Sequence, residues 1–175
     1  GEWFTGLLLE YPAAYSIISK YMKEIMSDFD DIRNEQIAKD ARNIILQFNK
    51  DDSIFSIDFN KLSDGEKCFL LCSLVLASNK YYSKPLFCFW DEPDNYLSLS
   101  EVGHFITGLR RGFKQEGQLL ITSHNEEAIR KFSDKKDIFV LDRKSHLEPT
   151  LIRTLDKTSI EGDLIRNLIA GDVEL

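Results

Sequence analysis

The chain has 175 residues, 43% of them hydrophobic and 29% charged, the proportions of an ordinary globular domain rather than of a disordered segment. Its 22 basic and 29 acidic side chains leave a net charge of −7, which disfavours a general basic clamp for nucleic acid and leaves DNA as a partner open only through a local patch. The longest uncharged apolar run, Cys68 to Ser78, is far short of the roughly 20 residues that a membrane span requires, so no membrane partner is expected.

The first predicted element is a helix over Leu7 to Met26, where Leu8, Tyr11, Tyr15, Ile18, Tyr21, Met22 and Ile25 recur near helical spacing. Pro12 marks its start or a kink. A second helix is predicted over Asn34 to Phe48, because Ile37, Ala41, Ile44, Ile45 and Phe48 fall on one stripe. Ile54, Phe55, Ile57 and Phe59 suit a short strand. Leu62 to Ser78 then reads as a helix apolar almost all round, and Leu86 to Trp90 as a strand buried on both faces.

Leu99 to Phe113 is an amphipathic helix, Gln118 to Thr122 an apolar strand and Glu126 to Phe132 a short helix. Ile138 to Leu141 and Thr150 to Thr154 read as two more strands, and Ser159 to Ala170 as a closing helix. Strand–helix alternation implies a parallel or mixed sheet with right-handed crossovers. Arg110, Arg111 and Lys114 form a small basic cluster, read as a solvated helix face. The three cysteines, Cys68, Cys72 and Cys88, are odd in number and lack a regular framework, which points to a reducing, cytoplasmic location. Cys68 and Cys72 lie one helical turn apart among Phe, Leu and Val, and are read as core rather than as half of a metal site.

Three motifs fall at the ends of these elements. In Leu62-Ser63-Asp64-Gly65-Glu66-Lys67, Ser63 and Glu66 make a capping box. The helix it opens offers free N–H groups and the positive end of its dipole to a phosphate oxygen, and Gly65 is expected to let a ligand approach the backbone. In Leu86 to Pro93, an apolar strand ends in Asp91 and Glu92. Unpaired carboxylates are expensive to bury, so two at such a strand end favour a site. Asp91 is suited to hold Mg²⁺ and Glu92 to orient a water. In Leu119 to His124 a strand ends in Thr122, Ser123 and His124, whose imidazole can hydrogen-bond a phosphate. His104 and His146 are read as structural or solvated.

The three motifs, in this order and about 30 residues apart, resemble the ATP-binding-cassette (ABC) ATPase superfamily, in its non-transporter RecF/SMC-like and OLD-like branch. Leu62 to Glu66 is similar to the signature motif, Asp91-Glu92-Pro93 to the end of Walker B, and Ser123-His124 to the switch histidine. Asp94 to Ser98 stands where the D-loop follows. Asp64 and Glu66 depart from the transporter form of the signature towards the RecF/SMC-like form, and Ser98 replaces the usual D-loop Asp. No G-x-x-x-x-G-K-[ST] occurs in the chain.

The resemblance implies an α/β fold: the C-terminal lobe of an ABC-type P-loop NTPase, a mostly parallel sheet flanked by helices, behind an N-terminal helical segment. Residues 1–60 would be a helical insertion before the signature and 61–175 the signature, Walker B and switch-histidine lobe, with no linker between them. It further implies catalytic roles for Glu92 and His124, nucleotide contacts from Ser63, Gly65 and Glu66, and a metal role for Asp91.

ATP and Mg²⁺ would be the cofactors of the full-length protein, with neither expected to bind tightly to this chain alone. The partners implied are a P-loop segment N-terminal to this one and a second ATPase head. ATP hydrolysis at a head–head interface, in DNA repair or phage defence, is one expected activity. The other is an ATP-sensing scaffold that gates an effector nuclease or toxin with little turnover.

Overall fold

A computed structural model describes residues 2–38, 41–51, 53–113, 117–125, 128–129 and 138–154. The chain divides into two compact units, Gly1–Ile121 and Thr122–Leu175.

The first unit opens with helices α1 (Glu2–Glu10) and α2 (Ala14–Ile25). Pro12 separates them: the Tyr11 N–H closes α1 on Leu7 and a new turn starts at Tyr11, as expected where a ring blocks helix continuation. Phe4 and Leu7 of α1, and Ile18, Tyr21 and Met22 of α2, are buried.

The helix predicted over Asn34 to Phe48 is not there. Strands β1 (Phe29–Ala38), β2 (Ala41–Lys50) and β3 (Ser53–Asp58) form an antiparallel meander in that region, so among the described residues of the segment 1–60 the α-helices end at Ile25 and only a 3₁₀ turn, Phe59–Lys61, begins after the meander. The reason is alternation. Ile44, Leu46 and Phe48 share one strand face and are at most 8% exposed. Leu46 stands opposite Ile32, and Phe48 meets Phe29 edge-on at 6.2 Å. A period of 2 buries this set; a helical period would scatter it. Tyr15 of α2 donates a hydrogen bond to Asp31 of β1, tying the helices to the meander.

Helix α3 (Asp64–Tyr81) is the centre of the unit. Ten of its residues are buried, which accounts for a sequence apolar on all sides. Helix α4 (Leu99–Gly112) buries Val102, Phe105, Ile106 and Leu109, one stripe at i, i+3, i+4 and i+7. Strands β4 (Phe87–Trp90) and β5 (Gln118–Ile121) pair in parallel. Asn79, near the end of α3, joins three of these elements. Its amide donates to the Gly112 carbonyl at 3.0 Å, and its oxygen accepts from the Leu86 N–H at 3.1 Å. Gly117 enters β5 at φ +88, where a Cβ would lie 2.7 Å from both Asn79 Oδ1 and the Leu86 carbonyl.

Burial of β4 on both faces is also corrected. Trp90 packs edge-on against Phe105 at 4.9 Å, but Phe87 and Phe89 are 64% and 54% exposed, with Leu120 of β5 beside them at 44%. The sequence carries the pattern of a strand covered twice, and one face of the β4–β5 pair is open.

In the second unit β6 (Phe139–Asp142) and β7 (Leu151–Thr154) form an antiparallel pair. Among the described residues β4–β5 is therefore the parallel pair of an α/β fold whose other two sheets are antiparallel. Of the helix predicted over Glu126 to Phe132 only residues 128–129 are described, and they are helical. The helix predicted over Ser159 to Ala170 lies outside the described residues, as does Lys114; Arg110 and Arg111 are exposed in the last turn of α4, where they complement the helix dipole.

Candidate active site

The predicted capping box forms. The Ser63 N–H donates to Glu66 Oε2 at 2.7 Å, the Ser63 hydroxyl donates to the same oxygen at 2.7 Å, and the Glu66 N–H donates to Ser63 Oγ at 3.3 Å. Glu66 is thereby committed to the cap. The N–H groups of Asp64 and Gly65 have no carbonyl one turn earlier, and the helix dipole adds its positive end there. Lys67 pairs with Asp64 at 3.1 Å.

Asp91 and Glu92 follow directly on β4, Asp91 exposed and Glu92 half-buried. Glu92 has φ 43 and ψ 51, a left-handed conformation that costs a residue other than glycine roughly 1–2 kcal/mol. Non-glycine residues held this way gather at functional sites. The conformation turns the chain sharply into the short 3₁₀ turn Pro93–Tyr96. The Glu92 carbonyl accepts from the Asn95 N–H at 3.2 Å, and Asn95 Nδ2 donates to Glu92 Oε2 at 2.7 Å.

This turn is seated on the first turns of α3. The Cys68 thiol lies 3.8 Å from the Pro93 carbonyl, Pro93 and Asp94 are buried, and a Cβ added to Gly65 would stand 2.9 Å from the Tyr96 carbonyl. On its Cβ side Gly65 is therefore packed against the protein's own backbone, which accounts for a glycine at this position. Ser63, Gly65, Glu66 and the turn after Asp91 and Glu92 come together within the first unit. A groove of about 730 Å³ runs beside them, with Phe55, Phe69, Tyr96, Lys50 and Glu101 in its walls.

His124 belongs to the second unit and is exposed. The loop around it is ordered by its neighbours. Ser123 Oγ accepts from the Asn125 N–H at 3.0 Å, and Asn125 Oδ1 caps the following turn through the Ala128 N–H at 3.2 Å. His104 is exposed, and His146 Nδ1 stands 3.2 Å from Arg143 Nη2.

Cys68 and Cys72 are core residues, as their neighbours in sequence imply, and Cys88 is half-buried. Burial pushes the Cys68 thiol up to about 12 and raises those of Cys72 and Cys88. Among the described residues no three His, Cys, Asp or Glu side chains gather as a metal cage. An exposed Asp91 still fits Mg²⁺, an ion that takes one or two carboxylates and fills its other positions with water and substrate phosphates. Among the described residues no helix is long and apolar enough to cross a membrane. The sequence places Asn95 and Tyr96 in the D-loop stretch without giving either a separate role; an asparagine three residues after a strand-end glutamate, behind a proline, is the turn signal that was available.

No protein-family profile matches the chain, and no curated protein does. Solved structures do. The chain is similar to an Smc head domain with an extended coiled coil, bound to the C-terminal domain of ScpA, from Pyrococcus furiosus. The identity is 16% and the TM-score 0.61, over 84% of this chain and 36% of that one. It is also similar to an Smc head domain with a coiled coil and joint from Pyrococcus yayanosii, at 13% identity and TM-score 0.65, over 92% of this chain and 29% of that one. The chain shares the fold of part of an SMC head domain.

A third SMC structure, from a study of ATP-driven dimerisation and DNA-stimulated activation of SMC ATPases, matches over 93% of this chain and 96% of its own, at 16% identity and TM-score 0.55. The chain thus spans well under half the length of the two Pyrococcus heads, and nearly all of the third chain. At these identities the SMC head is shared as a fold.

Proposed function

We propose that this chain is the part of an ATPase head that carries the signature and the Walker B carboxylates, and that it hydrolyses ATP together with a P-loop segment and a second head. The observation that carries the reading is the end of β4: Asp91 followed by Glu92 in a left-handed turn seated on the first turns of α3, in a chain with the SMC-head fold.

Each half-site has a defined role. Asp91 would hold Mg²⁺, which would supply positive charge to offset that of the nucleotide's phosphates. Glu92 orients the attacking water and takes up its proton. For His124, in the second unit, the resemblance implies a hydrogen bond from its imidazole to a phosphate. Ser63 and the N–H groups of Asp64 and Gly65 face the γ-phosphate held by the other head, where the helix dipole favours negative charge. The open face of Phe87, Phe89 and Leu120 receives the P-loop-bearing segment, which gives the β4–β5 pair its second apolar cover.

The test uses the full-length protein. Glu92→Gln keeps the size of the side chain and removes the base. Hydrolysis should fall by about 10²–10⁴-fold while ATP binding, followed by calorimetry, survives. Turnover at the wild-type rate would remove Glu92 from this role.

A further inference from the structure

We infer that Asn95 is a positioning residue for Glu92, acting on hydrolysis through that carboxylate without touching nucleotide itself. The inference rests on the proposed role of Glu92 as the group that orients the attacking water.

A glutamate at the mouth of a strand has three rotatable bonds, and an unrestrained carboxylate there spends little of its time aimed at any one water. Asn95 restrains this one twice. Its backbone N–H donates to the Glu92 carbonyl at 3.2 Å and so closes the turn that holds Glu92 left-handed. Its side-chain amide donates to Oε2 at 2.7 Å and fixes the plane of the carboxylate. The opposite amide orientation would set two acceptor oxygens against each other, so the chemistry requires Nδ2 to face Glu92.

The restraint is useful only if Asn95 is itself held. Pro93 and Asp94 before it are buried, the Leu97 N–H donates to the Asp94 carbonyl at 3.2 Å, and the Cys68 and Gly65 contacts anchor the turn to α3. A side chain on a turn fixed to a buried helix can hold its partner within the tolerance that catalysis needs. Any asparagine in such a turn would be explained by its backbone alone; the hydrogen bond to the carboxylate is what a turn does not require.

The experiment is single-turnover ATP hydrolysis by the full-length protein, with ATP affinity and melting temperature measured beside it. Two variants are used: Asn95→Ala, and the isosteric Asn95→Asp, which keeps the shape and loses the donor. Both should lower the hydrolysis rate about 10–100-fold with ATP affinity unchanged. In a Glu92→Gln background neither should lower the residual rate further, since residues that act through one group are not additive.

Should the alanine variant melt early, the aspartate variant carries the test. A wild-type rate in both variants, or a loss that recurs undiminished in the Glu92→Gln background, overturns the inference. The two levels fail separately. If Glu92→Gln itself turns over normally, the role of Glu92 is lost and the inference with it. If Glu92→Gln is slow and the Asn95 variants are fast, the inference alone is lost.

Discussion

Helices α3 and α4 begin with the same pattern, Ser63-Asp64-Gly65-Glu66 and Ser98-Leu99-Ser100-Glu101, and both form a capping box. In each, the glutamate accepts from the N-cap N–H at 2.7 Å. The two starts differ in what lies against them. The first turn of α3 has a glycine pressed against the Tyr96 carbonyl, while α4 presents Leu99 at 58% exposure and an exposed Ser100 whose hydroxyl contacts Ser98. A cap starts a helix wherever it stands. The residues inside it decide whether that turn can also be docked against another functional segment.

The largest effect that would break this contrast concerns dimerisation. In the full-length protein, Ser63→Arg should abolish ATP-induced association of heads while leaving the ATP affinity of the monomer nearly unchanged, and Ser98→Arg should leave both intact. Sedimentation with and without ATP reads the outcome. Equal loss in both variants would mean that neither cap faces a partner and that only folding was disturbed.

A middle-sized effect concerns Gly65. Its Cβ would meet a backbone oxygen, which cannot swing away as a side-chain tip can. Gly65→Ala should therefore destabilise by about 1–3 kcal/mol although alanine is the better helix former. Ser100→Ala should stay within about 0.5 kcal/mol. Denaturant unfolding compares the two, and a stabilised Gly65→Ala protein would show that the turn does not rest on α3.

The smallest effect sharpens the likeness instead. Ser63→Ala and Ser98→Ala should each cost about 1 kcal/mol of stability, the ordinary worth of an N-cap hydroxyl. A markedly larger loss at Ser63, in the same unfolding measurement, would assign that hydroxyl more than a capping role.

The helices around this site were legible because their signals were local and consistent. Ser63 and Ser98 announce their starts, and the stripe from Val102 to Leu109 has one period. Of the meander only β3 was legible, from Ile54, Phe55 and Ile57; β1 and β2 were not. Ala38-Lys39-Asp40-Ala41 contains no Gly, Asn or Pro to mark a hairpin, and Ile37, Ala41, Ile44, Ile45 and Phe48 satisfy a helical stripe as well as Ile44, Leu46 and Phe48 satisfy a strand. The open face of β4 could not be read either, because a continuous apolar run does not say which of its faces is covered. At the site, Asp91 and Glu92 stood out as charges ending an apolar strand. The left-handed turn at Glu92 did not, since glutamate is not a residue that signals positive φ.

That turn also bears on how the sequence can change over time. A glycine at position 92 would relax the backbone at no steric cost, and relaxed variants are the ones that a search for stability alone would favour. Selection for a robust fold and selection for a carboxylate therefore pull this position in opposite directions, the familiar opposition of stability and activity. In a lineage that gave up hydrolysis and kept the scaffold, Glu92 is where drift would be expected to show first.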